Sequence, residues 1–305
     1  MAEMNNNWVV NVPVATIWTL PSSPRPLDKK AITNPVDIQD WIEGQSYGEL
    51  LELHQANLVQ TQVLFGEKVQ VLEEKAEWLK VLVPSQPTSK DERGYPGWIP
   101  KGQLVQIEDW EVENGAIAVV RSNKATLYDV EERCVTLLSY QTRLPLLRHE
   151  GEWVKVRTPI GLGLLKKVDV ALVTPQSEQT KRTGRDIVIE GEKFLHLPYL
   201  WGGMSSFGYD CSGFTYNMCK ANGYIIPRDA VDQSQDGVPV KLSELEPGDL
   251  LFFAYEEGKG KIHHVGIYYG DGKMLHSPKT GKVIEIIELK DTFYEKELCA
   301  ARRYW

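Results

Sequence analysis

The chain has 305 residues, of which 42% are hydrophobic, with nine Trp and thirteen Tyr. That is too much apolar and aromatic mass for a solvated coil and about twice the length of an ordinary domain, so two or more packed domains are expected. A balance of 34 Lys and Arg against 42 Asp and Glu leaves a formal charge of −8, which excludes counterion-releasing binding to nucleic acid and to an anionic membrane surface.

No uninterrupted apolar run approaches the roughly 20 residues a membrane helix needs. The longest, Leu250-Leu251-Phe252-Phe253-Ala254-Tyr255, is strand-sized. The first seven residues, Met-Ala-Glu-Met-Asn-Asn-Asn, lack the cationic and apolar regions of a secretory leader. The expected location is therefore cytoplasmic, or secreted or wall-associated had a leader been removed. Cysteines 134, 211, 219 and 299 show no paired metal-ligand spacing and are too few for a disulfide scaffold. No metal or cofactor is expected, and one cysteine stands as a candidate for reactivity.

Along the N-terminal half, residues 69–81 (VQVLEEKAEWLKV) resemble residues 144–156 (LPLLRHEGEWVKV). Each reads as a strand, a tight polar turn and a second strand starting at Trp, with the period-2 alternation of a half-buried hairpin. Ala15-Thr16-Ile17-Trp18 matches Ala125-Thr126-Leu127-Tyr128 upstream, and Gly97-Trp98-Ile99 matches Gly163-Leu164-Leu165 downstream. Two short-stranded β-barrels of one kind are predicted. The first carries a Pro-rich, helical insertion over roughly 21–57, where Ile38, Trp41 and Ile42 fall at helical spacing after Asp37.

Residues 174–182 have no apolar periodicity and read as a linker. Beyond it, Ile187, Ile189, Phe194 and Leu195 predict an amphipathic helix, and a second helix is predicted from Cys211 to about Asn222, stopped by Asn222-Gly223. Strands are predicted at 250–255, 265–269, 273–276 and 283–287. Helices first and an antiparallel sheet afterwards make the C-terminal part α+β. The predicted domains are 1–108, 109–175 and 176–305.

Chemistry concentrates in this last part. In Asp210-Cys211-Ser212-Gly213-Phe214, Asp210 is a suitable N-cap, and a helix starting there sets the Cys211 sulfur against unpaired N–H groups and the positive end of the dipole, which favours thiolate. Gly213 adds no Cβ and would let a substrate backbone approach. Residues 264–276 read as a hairpin around Gly270-Asp271-Gly272 in which opposed positions sum to 542, so that His276 faces Gly266 and His264 faces Pro278. His264 and His276 are then diagonal neighbours on one face, close enough for one imidazole to orient the other, while His263 points to the opposite face. A nucleophile, a base and a group fixing the base's tautomer is what a thiol hydrolase requires. Two other readings remain open on the residues alone: histidines that merely share a strand face, and a zinc site of Cys211, His264 and His276.

Residues 185–305 resemble the NlpC-type papain-like cysteine peptidases of bacterial cell-wall metabolism. The resemblance is carried by Pro198-Tyr199-x-Trp201-Gly202-Gly203, Asp210-Cys211-Ser212-Gly213-Phe214, Pro227-Arg228-Asp229, Pro247-Gly248-Asp249-Leu250, His264-Val265-Gly266-Ile267-Tyr268 and His276. The two β units resemble bacterial SH3 domains. The resemblance implies a papain-like α+β domain after two small all-β SH3-like barrels, with Cys211 as nucleophile, His264 as base, His276 as the orienting residue and Tyr199 at the oxyanion position. Together the parts resemble the γ-D-glutamyl-L-diamino-acid endopeptidases of murein peptide recycling, which implies murein-derived peptides with a free N-terminal L-Ala as partners. A substrate ammonium would be taken by Asp229, with Asp210, Ser212 and Arg228 shaping the pocket. Tyr95 and Glu67 would contribute from the first SH3-like domain. The chain departs from the family pattern at His196, where glycine is more usual and a structural role is expected. The rival functions are an amidase or acyltransferase on the same scaffold, and a wall-binding protein whose C-terminal domain only packs.

Overall fold

The structure is a computed structural model that describes residues 7–110, 115–175 and 181–305. The N-terminal segment 1–6 and most of the expected linker, 176–180, lie outside the described residues. Close contacts divide the chain into two units, one formed by residues up to 85, 93–179 and 205–207, the other by 86–92, 180–204 and 208–305.

In the first unit the repeated hairpins fold alike down to their irregularities. Strands β1 (Trp8–Val10), β2 (Val14–Trp18), β3 (Val59–Leu64), β4 (Lys68–Lys75), β5 (Trp78–Val83), β6 (Tyr95–Pro100) and β7 (Leu104–Gln106) lie in the order β3-β2-β6-β5-β4-β1-β7. Strands β8 (Ile117–Val120), β9 (Lys124–Tyr128), β10 (Cys134–Ser139), β11 (Arg143–Glu150), β12 (Trp153–Thr158), β13 (Gly161–Lys166) and β14 (Val170–Val173) repeat that order as β10-β9-β13-β12-β11-β8-β14. The β4–β5 ladder slips between Val71 and Glu73, and the β11–β12 ladder slips at the matching step, Leu146 to Arg148. Such bulges bend a strand and help a small sheet curl onto itself. Closure requires a missing side chain at one point in each unit. A Cβ on Gly97 would lie 2.3 Å from Ile17 Cγ2, and one on Gly163 would lie 2.7 Å from Leu127 Cδ1. Ile17 and Leu127 are themselves matching residues of the repeat, and both sit in the apolar cores that the curled sheets enclose.

The insertion forms helices Lys29–Ile32, Ile38–Glu43 and Tyr47–Gln55. Asp37 caps the second through Asp40 N–H, and Ile38, Trp41 and Ile42 are buried on one face as their spacing predicts. The helices are tied together by the buried Asp28 carboxylate, which accepts from Arg25 and from Trp41 Nε1 at 2.9 Å. No helix among the described residues is long and apolar enough to cross a membrane.

The second unit holds a six-stranded antiparallel sheet. Its strand order is Val238–Pro239, Leu298–Arg303, Leu250–Ala254, Ile262–Gly270, Lys273–His276 and Glu285–Glu288. Helices Gly184–Glu192 and Cys211–Ala221 precede it, each starting at a capping side chain, Thr183 and Asp210. Two expectations are corrected. The first helix ends at Glu192 and buries Ile187 and Val188, whereas Ile189 is exposed; the i to i+4 spacing of its inner face runs from Ile187 to Gly191. The strand Leu298–Arg303 was not anticipated. Its Leu-Cys-Ala-Ala-Arg-Arg sequence lacks the β-branched alternation that marks a strand, and partners on both sides impose the conformation instead.

Candidate active site

Asp210 organises the start of the Cys211–Ala221 helix. Its Oδ1 accepts the Gly213 N–H at 2.6 Å, satisfying one of the helix's orphan donors. The Arg228 guanidinium, 1% exposed, grips the same carboxylate at 2.6 Å (Nη2 to Oδ2) and 3.1 Å (Nη1 to Oδ1), and also donates to Ser212 Oγ at 2.8 Å. Ser212 completes the loop by donating to Asp210 Oδ1 at 3.3 Å. Arg228 therefore pairs with buried Asp210, and these three polar groups brace the nucleophile's turn.

Gly213 has a different use from the one expected. A Cβ there would lie 2.1 Å from the Gly203 carbonyl oxygen and 3.0 Å from Met204 Sδ. The glycine lets the helix pack against its own domain, and no space for a substrate opens at that position.

Cys211 is 9% exposed. The backbone N–H groups of Ser212 and Val265, the latter adjacent to His264, favour thiolate. Burial opposes them and wins, pushing the thiol up to about 12, with Asp210 adding to the rise. The direction of this shift runs against the expected resting thiolate. A helix start is worth typically ~0.3–1 kcal/mol, whereas full desolvation moves a pKa by up to ~3–5 units at ~1.4 kcal/mol each.

The hairpin keeps the anticipated register, with Ile267 opposite Leu275 and Tyr268 opposite Met274, then slips by one before the turn. Asp271 and Gly272 make that turn with φ of 51° and 72°, left-handed values that Asp-Gly tolerates. On one face, His264 Nε2 and His276 Nδ1 are 2.8 Å apart. Nitrogens sharing a tetrahedral zinc would stand about 3.3 Å apart, so this spacing fits a direct hydrogen bond. Among the described residues no cluster of three or more His, Cys, Asp or Glu is arranged to hold a metal. Burial holds His264 well below its ordinary value, with His276 and His263 adding to the shift, and pushes His276 down to about 3. The remaining His276 nitrogen, Nε2, has no hydrogen-bond partner among the described residues and lies 3.9 Å from Glu285 Oε1. His263 points the other way, 3.0 Å from Glu297 and stacked at 4.1 Å on Tyr255.

Tyr199 is buried in the same unit, and its phenol is raised well above the ordinary value by burial and then by Cys211 and Asp210. Asp229 is half-buried and pairs with Lys90 at 3.0 Å. Tyr95 and Glu67 belong to the first unit. Tyr95 is buried in the first barrel's core, and Glu67 accepts from Leu64 N–H at 3.0 Å to close a turn. His196 has φ of 71°, a left-handed value suited to the glycine that the family pattern prefers. Cys219 is fully buried, and Cys134 and Cys299 belong to exposed residues. Tyr294, which sequence analysis overlooked, packs on both histidine rings. It sits in a short polar helix with no motif to mark it.

Comparison with known proteins adds the following. Residues 196–303 match the model of the NlpC/P60 family, and residues 120–172 match that of the YKFC SH3b2 domain. A protein of Bacillus subtilis strain 168 named gamma-D-glutamyl-L-lysine dipeptidyl-peptidase is 52% identical over 95% of this chain and 96% of its own. A protein of the same name from Bacillus cereus is 42% identical, covering 97% and 90%. The crystal structure of an NlpC/P60 family protein from Bacillus cereus ATCC 10987 superposes with a TM-score of 0.94 at 41% identity, covering 97% of this chain and 99% of that one.

Proposed function

This chain belongs to the NlpC/P60 family, and from that premise we propose that it is a cysteine peptidase cutting the γ-D-glutamyl-L-diamino-acid bond of murein peptides that carry a free N-terminal L-Ala. The observation that carries the residue assignment is the 2.8 Å bond between His264 and His276 in the same unit as a cysteine at a helix start.

The tautomers follow from one shared proton. For His264 Nδ1 to accept the thiol proton, its Nε2 must carry hydrogen and donate to His276 Nδ1, which leaves the His276 proton on Nε2, toward Glu285. With the thiol pushed up and the imidazole held down, the resting pair is neutral. His264 removes the proton as Cys211 sulfur attacks the γ-amide carbonyl, returns it to the leaving amine, and then deprotonates the water that frees the acyl-enzyme. The Tyr199 phenol, fully protonated at neutral pH, is a donor for the developing oxyanion.

Asp229 is the proposed acceptor for the substrate ammonium. Lys90 supplies an ammonium there in this structure, and a peptide's N-terminal amine would take its place. Acetylating that amine is expected to block cleavage, and unimpaired turnover of the acetylated peptide would remove the ammonium site. Mass analysis of the products separates hydrolysis from amide or acyl transfer.

A further inference from the structure

Strand pairing fixes where His264 and His276 leave the backbone, but a single hydrogen bond between two neutral rings does not fix the planes of those rings. Something else must do so. Tyr294, on the short helix Phe293–Glu297, is 7% exposed, and its ring centroid lies 5.3 Å from that of His264 and 5.1 Å from that of His276. It meets the first ring tilted by 33° and the second edge-on at 87°. Phe253 closes the group, 5.1 Å from Tyr294 and 5.7 Å from His264. The helix itself is anchored on the other face of the strand, where Glu297 meets His263 at 3.0 Å. The Tyr294 hydroxyl makes no hydrogen bond among the described residues, so what the site uses is the ring.

We propose that Tyr294 is a positioning residue for the reaction, its ring holding the His264 and His276 imidazoles in their mutual orientation and keeping water from the bond between them. This rests on the assignment of His264 as the base. Two consequences distinguish it from ordinary core filling. Loss of the ring lowers turnover more than substrate binding, because the contacts the ring makes are with the two imidazoles, Phe253 and Phe293. It also rehydrates the pair, so His264 protonates more readily and the acidic edge of the activity profile moves up toward the ordinary histidine value.

The test uses the full chain as wild type, Tyr294→Phe and Tyr294→Leu, with L-Ala-γ-D-Glu-L-Lys as substrate across a pH series, and with circular dichroism to verify folding. The same substitutions in a Cys211→Ala background allow the imidazoles to be titrated by NMR without turnover. Tyr294→Phe is expected to keep kcat and the acidic edge. Tyr294→Leu is expected to lose tenfold to about a hundredfold in kcat, the scale of misplaced catalytic groups, with KM little changed and the His264 titration moved upward. A folded Leu variant with wild-type kcat and titration overturns the proposal, as does a Phe variant that loses as much as Leu, since the hydroxyl would then be responsible. If the Leu variant fails to fold, the Phe variant decides alone, by retention or loss. Cleavage by the Cys211→Ala parent would refute the assigned nucleophile, while the NMR titration would still judge Tyr294.

Discussion

At Cys211 two influences of different size compete. Helix-start geometry and the N–H groups of Ser212 and Val265 pull the thiol toward ionisation, and burial pushes it up to about 12. The same burial keeps His264 neutral to well below pH 6.5. The acidic edge of kcat/KM is therefore expected below pH 6.5 and set by His264, and iodoacetamide is expected to label Cys211 slowly at neutral pH in the free enzyme. An edge near pH 8–9 with rapid labelling above it would show a thiol titrating near its ordinary value. Stability carries the matching sign. His264 and His276 bind protons more readily unfolded than folded, so stability is complete above about pH 6.5 and falls with acidification toward pH 3, by up to ~1.4 kcal/mol per pH unit for each histidine. Denaturant midpoints between pH 7 and 5 should decline in the wild type and decline less in a folded His276→Asn variant. The residue types at this site were legible from the helix start and the shared strand face. Burial was not, because it depends on the chain segments packed around the sulfur.

Elements explain why those residues meet. The 264–276 hairpin was readable from alternation and from its Asp-Gly turn, and its register placed both imidazoles on one face. The use of Gly213 was misread, since it packs against Gly203 and Met204 of its own domain. Arg228→Met is expected to leave Asp210 buried without its partner, a loss of ~3–5 kcal/mol measurable by chemical denaturation. A wild-type midpoint would make the pair dispensable. Gly213→Ala is expected to destabilise by at least ~1–3 kcal/mol because its methyl group meets the Gly203 carbonyl. His263→Ala, by contrast, removes a partly exposed pair with Glu297, worth up to ~1 kcal/mol, and the stack on Tyr255, and is expected to lower kcat far less than His264→Ala does. Abolished turnover would transfer the base role to the other strand face.

On the scale of the whole molecule, the repeat was the most informative signal in the N-terminal half, because the two units share hairpins, bulge positions and the close-approach glycines Gly97 and Gly163. The buried Asp28 cluster of the insertion and the strand Leu298–Arg303 escaped notice for a common reason. Each is stabilised by specific pairings that follow no regular spacing, so neither leaves a periodic trace. The claim on which the account depends is that one sulfur performs acyl transfer on a γ-glutamyl amide. Liquid chromatography with mass detection of L-Ala-γ-D-Glu-L-Lys incubated with wild type and Cys211→Ala tests it most directly. The account predicts L-Ala-D-Glu and free L-Lys from the wild type and intact tripeptide from the variant. Equal cleavage by both proteins, or release of L-Ala in place of L-Lys, would contradict it.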